Sequence, residues 1–302
     1  MDNKASLTAL MSAYGRAFHN ERAKLPVFCD YIAKKLMTDE EYSFLGKFIV
    51  GGLDFFAPEK KGDFATEEQA LEYLVNTQIA PTPIARAAFC EQSLKTAAAT
   101  GAKQFVILGA GLDTFALRER EFVQKHKFFE VDHPLTQADK MRRIERAGLS
   151  LPDNVKFVPV DFSVDDLGEK LTQSGFDPRL KTFYSWLGVS YYLTEEQIEK
   201  FLGELAEIST DGSSLVFDYA DGNLFCSKIK RVRNMLAMAQ AGGEPMKSCF
   251  SCASIETLLG RHGFLVYELL TCDDIQEMYF EGREDFLSAF EHICYAHAVI
   301  KK

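Results

Sequence analysis

From about residue 100 onward, short apolar runs alternate with stretches in which apolar positions recur every three or four residues, the pattern of strands joined by amphipathic helices. The strand-like runs are "KQFVILG", "KFFEVD", "VKFVPVD", "TFYSWLG", "SLVFDYA", "FLVYELL" and "HICYAHAVIKK". Between them, helices are expected near 113–124, 136–147, 164–174 and 194–208. The last opens on Thr194 with Gln197 three residues on, the spacing of a capping box. Strand and helix in alternation imply βαβ units and a parallel sheet. After "FLVYELL" no comparable helix precedes the final run, so the expectation is an α/β fold: a Rossmann-like sheet of seven strands, mostly parallel, helices on both faces, and an antiparallel pair reversing its edge.

The first hundred residues carry the helical period throughout, in "LTALMSAYGRAFHNERA", "PVFCDYIAKKLM", "DEEYSFLGKFIVGGLDFF" and "PIARAAFCEQSLKTAAAT". Pro81 and Pro83 are expected to break the chain before the last of these. With no strands of its own, the segment 1–100 reads as a helical cap on the 101–302 sheet, the whole forming one domain. A further helical stretch, "SKIKRVRNMLAMAQ" near 227–240, interrupts the α/β alternation and reads as a lid within an insert near 222–250.

Composition narrows the partners. The 302 residues are 47% hydrophobic, ordinary for a folded chain, and 44 acidic against 34 basic residues give a net charge of −10. There is no basic footprint for a nucleic acid or an anionic membrane. No run approaches the roughly 20 apolar residues of a membrane span. Seven scattered cysteines and a polar start, "MDNKASLTALMSAYGRAF", fit a reducing cytoplasm.

The chemistry begins at "FVILGAGLDTFALRER". Gly109 and Gly111 fall where the first strand becomes a helix, the place where open α/β sheets bind ligands. A dinucleotide fingerprint would need a third glycine and an anion-binding helix start. Here Asp113 and Thr114 follow instead, and Asp113 would repel a phosphate. A nucleoside without phosphate meets neither objection, and S-adenosyl-L-methionine (SAM) is one, cationic at sulfur; a plain N-cap by Asp113 would also account for the residue. Asp132 ends the second strand about 20 residues on, where an acid accepts ribose hydroxyls. Asp161 ends the third. Ser163, with Asp166 three residues later, is the better N-cap, which leaves Asp161 to accept from an adenine amino group.

These pieces resemble the leucine carboxyl methyltransferase-like group of class I SAM-dependent methyltransferases, which includes tetracenomycin-type polyketide O-methyltransferases. The matching segments are "VILGAGLDTFALR", "FEVDHPLTQADKMRRI", "VPVDF" and "GVSYYLTEEQ", with "PVFCDYIAKKLM" and "IARAAF" in the helical region. The resemblance implies a SAM-binding fold under a helical cap. It casts Arg86 as the arginine that grips the methionine carboxylate of SAM, Gly109 and Gly111 as the glycine turn, Asp132 as the ribose acid and Asp161 as the adenine-side acid. The chain departs at Leu187, where the carboxyl methyltransferase branch has a glutamate, which favours a small-molecule acceptor over a protein tail.

Methyl transfer is an in-line displacement that asks a protein to align the acceptor and exclude water, with no metal or covalent nucleophile. Tyr192 and Tyr219, at the mouths of the fourth and fifth strands, are the acceptor-side candidates, with Asp218 beside the latter. His133 shapes the loop next to the ribose acid. Cys249 and Cys252 form a lone Cys-x-x-Cys without a partner pair, read as buried thiols, not a zinc site. "KIKRVR" reads as a solvated basic face. The expected function is transfer of methyl from SAM to a small-molecule hydroxyl, enol or carboxylate. The alternatives are a protein carboxyl methyltransferase, an NAD-linked oxidoreductase and a SAM-binding sensor without catalysis.

Overall fold

The computed structural model describes residues 7–162 and 164–302. All seven expected strands form: β1 Gln104–Leu108, β2 Lys127–Asp132, β3 Val155–Pro159, β4 Thr182–Trp186, β5 Ser214–Ala220, β6 Phe264–Leu270 and β7 Ile293–Ile300. They build one sheet in the order β3-β2-β1-β4-β5-β7-β6. The pairs among β1 to β5 are parallel, and β7 runs antiparallel to both β5 and β6. The sheet ends in the expected antiparallel pair, β7 with β6, but the reversed strand is not the outermost one. It slots between β5 and β6, and the edge strand β6 points the same way as the core.

The longer helices are α1 Leu7–Arg22, α2 Asp39–Gly51, α3 Glu67–Leu74, α4 Pro81–Ala99, α5 Pro134–Arg146, α6 Leu167–Gln173, α7 Glu195–Glu207, α8 Lys230–Ala241 and α9 Cys252–Arg261. α7 starts with both arms of the Thr194–Gln197 capping box in place. Asp166 is the N-cap of α6 and accepts the Glu169 N–H; Ser163, the cap expected from the sequence, lies outside the described residues. Three further expectations change. "PVFCDYIAKKLM" yields only a single 3₁₀ turn, Ala33–Leu36, and the helix near 113–124 splits into Phe115–Arg118 and Arg120–Gln124. Pro81 and Pro83 do not break the chain: α3 passes through a π-helical turn, Val75–Ile79, into α4. The wide turn is closed by the Ala80 N–H donating to the Val75 carbonyl, so Pro81 enters α4 in its first turn, where its missing N–H costs little.

The two-residue period of the strands divides the interior into two cores. On one face Leu215, Phe217 and Tyr219 of β5 pack with Leu167, Ile198 and Leu259 from α6, α7 and α9. On the other, Phe105, Phe183 and Val216 pack beneath Tyr14, Leu74, Ile84 and Phe89 of the N-terminal helices. The cap is thus one wall of the main core, held on by apolar burial that is worth roughly 25 cal/mol per Å². Its charged residues reach across to the carboxyl ends of the strands.

Candidate functional site

A cavity of about 730 Å³ opens at the carboxyl ends of β1, β2 and β4, and Arg86, Gly109, Gly111, Asp132, Asp161 and Tyr192 all line it. Its size is that of a small-molecule site. Residues widely separated in sequence are brought together here because parallel strands deliver their carboxyl ends to one edge of the sheet.

Gly109 and Gly111 have φ of +67° and +46°, a region side chains rarely enter. At Gly109 a Cβ would lie 2.6 Å from the Val189 side chain, so the turn is also closely packed. The Gly109 and Ala110 N–H groups donate to the Val131 carbonyl at 2.9 and 3.0 Å, and Gly111 N–H donates to Asp132 Oδ2 at 2.5 Å. Every amide of the Gly109–Gly111 turn is thus committed to the protein, so the turn does not form a phosphate cradle. Asp113 accepts from Phe115 N–H at 2.8 Å, a local turn brace, while Thr114 occupies the N-cap without a side-chain cap bond.

Asp132 Oδ1 accepts from His133 N–H at 2.6 Å. Each carboxylate oxygen thus uses one lone pair on the backbone, which leaves acceptor capacity on both for a diol. Burial raises its pKa, opposed by the Gly111 and His133 N–H bonds. Asp161 stands across the cavity rim, with His133 Nε2 3.9 Å from its carboxylate and its own N–H donating to Asp165 at 2.9 Å.

Arg86, on α4, is largely buried, with 14% of its side chain exposed. Nη1 donates to Asp218 Oδ2 and to the Tyr191 hydroxyl, both at 2.9 Å, and Nη2 reaches Ser12 Oγ at 3.4 Å. Asp218 is fully buried and accepts from Gly188 N–H at 2.6 Å through its other oxygen. Gly188 has φ of +74°, and a Cβ there would fall 2.6 Å from Arg86 Nη2, so the guanidinium lies on the space that this glycine leaves. Burial pulls the Arg86 pKa down most strongly, but Asp218 together with Tyr191 and Tyr295 offsets it and the net shift is upward, so the cation is permanent. The remaining guanidinium N–H groups could grip a carboxylate.

Tyr192 borders the cavity, and burial pushes its hydroxyl up to about 12, which makes it a hydrogen-bond donor near neutral pH and not a base. Tyr219 is not among the lining residues. Alternation along β5 turns it to the opposite face from Asp218, where its hydroxyl meets Cys252 Sγ at 3.9 Å. That placement removes it from an acceptor in this cavity, and its neighbour Asp218, buried behind the wall, acts there only by holding Arg86, which does line it. Leu187 lines the wall.

Sequence reasoning missed the clasp between cap and glycine turn. Arg16 of α1 donates to the Leu112 carbonyl at 2.7 Å, to Ser12 Oγ at 3.0 Å and to Asp30 at 2.8 Å. Asp30, fully buried, also faces Arg118 at 3.5 Å, and Arg118 forks onto both oxygens of Glu91. The signal was a charge inside apolar helical periods, which is visible but does not name its partner. The insert closes the opposite side: Gly243, Glu244, Pro245 and Lys247 line the cavity, and the Thr8 hydroxyl of α1 donates to Glu244. Two other expectations shift. Cys252 is exposed and Cys249 half-buried. Within "KIKRVR", Arg231 is buried against Phe290, donating to the Ser288 and Ala289 carbonyls, so that face is not simply solvated.

A seven-stranded sheet with a reversed β7, a glycine turn after β1 and an acid closing β2 defines the class of protein as a Rossmann-like methyltransferase fold. Two solved structures share that fold at 14% identity. One is a DUF574 family protein from Streptomyces avermitilis, with TM-score 0.56 over 85% of this chain and 96% of its own. The other is a "putative methyltransferase" from Thermobifida fusca YX, with TM-score 0.54 over 99% and 96%. Residues 9–206 match the model of the leucine carboxyl methyltransferase family, and the chain belongs to it. It is 44% identical over 302 residues, 99% of both chains, to "Putative S-adenosyl-L-methionine-dependent methyltransferase YktD" of Bacillus subtilis (strain 168). A relative from Parafrankia sp. (strain EAN1pec), similarly described, is 28% identical over 228 residues, covering 76% of this chain and 67% of its own. The protein is a SAM-dependent methyltransferase, and SAM is its methyl donor. Among the described residues, no helix is long and apolar enough to cross a membrane.

Proposed function

We propose that the methyl group goes to an oxygen of a small molecule, a hydroxyl, enol or carboxylate, held between Tyr192 and the roof formed by α1 and the insert. The observation that carries this reading is the roof itself: the Thr8–Glu244 contact joins the two over the cavity, which suits an enclosed small acceptor better than an extended protein tail. Leu187 on the wall supports the same choice.

In this reading Arg86, pre-set by Asp218 and Gly188, holds the methionine carboxylate, Asp132 accepts the ribose hydroxyls, Gly109 and Gly111 let the backbone approach, and Asp161 accepts at the adenine. When bound, SAM supplies an electrophilic methyl on a cationic sulfur. The protein aligns the acceptor oxygen behind that methyl and shields it from water. Tyr192 donates to the acceptor and fixes its approach. A carboxylate needs no base because it is already ionised at pH 7, whereas a phenol or enol must lose its proton to solvent.

The test is a screen of phenols, enols and carboxylic acids with SAM, read as release of S-adenosylhomocysteine and a methyl adduct by mass spectrometry. Alkali-labile adducts identify esters and stable ones identify ethers. Methylation of protein carboxyl termini with no small acceptor used would overturn the proposal. Tight SAM binding without turnover on either class would do the same in favour of a sensor.

A further inference from the structure

Outside the cavity, three side chains from separate parts of the chain form a continuous relay. His292 Nδ1 lies 2.8 and 3.0 Å from the two carboxylate oxygens of Asp221, and His292 Nε2 lies 3.0 Å from Ser227 Oγ. None of the three lines the methyl-donor cavity. Asp221 follows β5, His292 precedes β7, and Ser227 sits at the base of the insert just before α8. The ladder between β5 and β7 extends one step to fix the first two, through Asp221 N–H donating to the His292 carbonyl at 2.9 Å.

We propose that Ser227, His292 and Asp221 form a second, hydrolytic site that cleaves short-chain acyl esters. The roles follow from the hydrogen-bond directions. Asp221 accepts the Nδ1 proton, which fixes the tautomer in which Nε2 carries the lone pair facing Ser227. Asp221 is itself steadied by the Asn223 N–H at 2.7 Å. Ser227 Oγ accepts from Ile229 N–H at 3.3 Å, which orients it while its own proton points to His292.

Two more observations point the same way. His292 has φ of +65°, an uncommon conformation for a residue with a side chain, of the kind that gathers at functional sites. α8, twelve residues long, begins at Lys230 with no side-chain cap, so its first-turn N–H groups are available near Ser227 for a developing oxyanion. Phe225 and Ile229, both exposed, flank the serine and offer apolar surface to an acyl chain.

The chemistry balances without a cofactor. Ser227 Oγ bonds to the acyl carbon as His292 takes its proton, and the ester's C–O bond breaks as that proton passes to the departing alkoxide. Water then adds to the acyl-serine by the reverse path, releasing the acid and restoring the hydroxyl. The serine is flanked by the exposed Phe225 and Ile229 and stands apart from the methyl-donor cavity, so the substrates are small, open-access esters.

The experiment uses the full-length protein with p-nitrophenyl acetate and a fluorophosphonate probe, with adducts mapped by peptide mass spectrometry. The expected result is p-nitrophenol release and stoichiometric labelling at Ser227, both abolished in Ser227→Ala. His292→Asn, which tolerates a positive φ, should slow them about 100-fold or more. SAM binding by calorimetry should be unchanged in both variants, which shows that they fold. Absence of a Ser227 adduct, acylation confined to Cys226, Lys228 or Lys230, or equal labelling in folded His292→Asn would each overturn the proposal and leave the trio as a brace for the insert.

Discussion

Gly188→Ala is the sharpest probe of the donor site, because it adds one methyl group to a position that sequence patterns do not mark. The new Cβ would lie 2.6, 2.8 and 2.9 Å from Arg86 Nη2, Nη1 and Cζ. Those distances are well inside contact, so the guanidinium must leave its seat on Asp218 and Tyr191. The backbone at φ of +74° adds about 1–2 kcal/mol of strain for any residue with a Cβ. A displaced Arg86 gives up its charge-assisted bond to the donor's carboxylate, about 1.5–3 kcal/mol. That corresponds to SAM binding weaker by roughly 10- to 150-fold. Adenosine, which lacks the methionine tail, should lose little. Isothermal titration of both ligands against wild type and Gly188→Ala, with urea unfolding to confirm the fold, reads the difference. Equal losses for the two ligands, or unchanged SAM affinity in a folded variant, would refute the assignment of Arg86 to the carboxylate.

Asp132→Ala should weaken SAM by about 2–4 kcal/mol through loss of two charge-assisted bonds to the ribose, with the fold retained; unchanged affinity would take Asp132 out of the site. Asp30→Asn keeps the shape but removes the charge between Arg16 and Arg118, so urea unfolding should show a loss of about 3–5 kcal/mol, and a loss below about 1 kcal/mol would show the clasp to be redundant. His19 and His297 are both held down to about 4 by burial, against 6.5 in the unfolded chain. Between those values the folded state binds fewer protons than the unfolded one. Each histidine's contribution is therefore intact above pH 6.5 and fades as pH falls towards 4, by at most about 3 kcal/mol. His19→Gln should flatten the stability profile in that window, and an unchanged slope would rule His19 out.

The strands were legible because each is an apolar run bounded by turn residues, and burial on both faces demands such runs. Their order was less so. Nothing in "HICYAHAVIKK" says whether it lies outside "FLVYELL" or between it and β5; that depends on which neighbour completes the two cores. The same distinction holds in the site. Gly109, Gly111, Asp132 and Asp161 could be chosen because each sits at a strand end, a local signal. Arg86 needed a resemblance to be noticed, and its partner Asp218 is 132 residues away on a strand whose alternation, not its composition, decides that Asp218 and not Tyr219 lies on the face of Arg86. The helix expected over 26–37 failed for a similar reason. Asp30 turns inward to two arginines and to the Ala33 N–H at 2.9 Å, a tertiary demand that overrides the local period.

The position of β7 has a consequence for how the chain is assembled. β6 hydrogen-bonds to β7 alone, so it has no place in the sheet until the strand that follows it in sequence has been made and has paired with β5. During synthesis, β1 to β5 can dock in near-sequence order as they emerge, while β6 waits with its apolar side chains unshielded and the edge of β5 stays open. Closure is a late event with large sequence separation, and such contacts form slowly. A chain stopped before Ile293 would thus lose two strands, not one, and would present the β5 edge to any neighbouring chain able to add a strand to it.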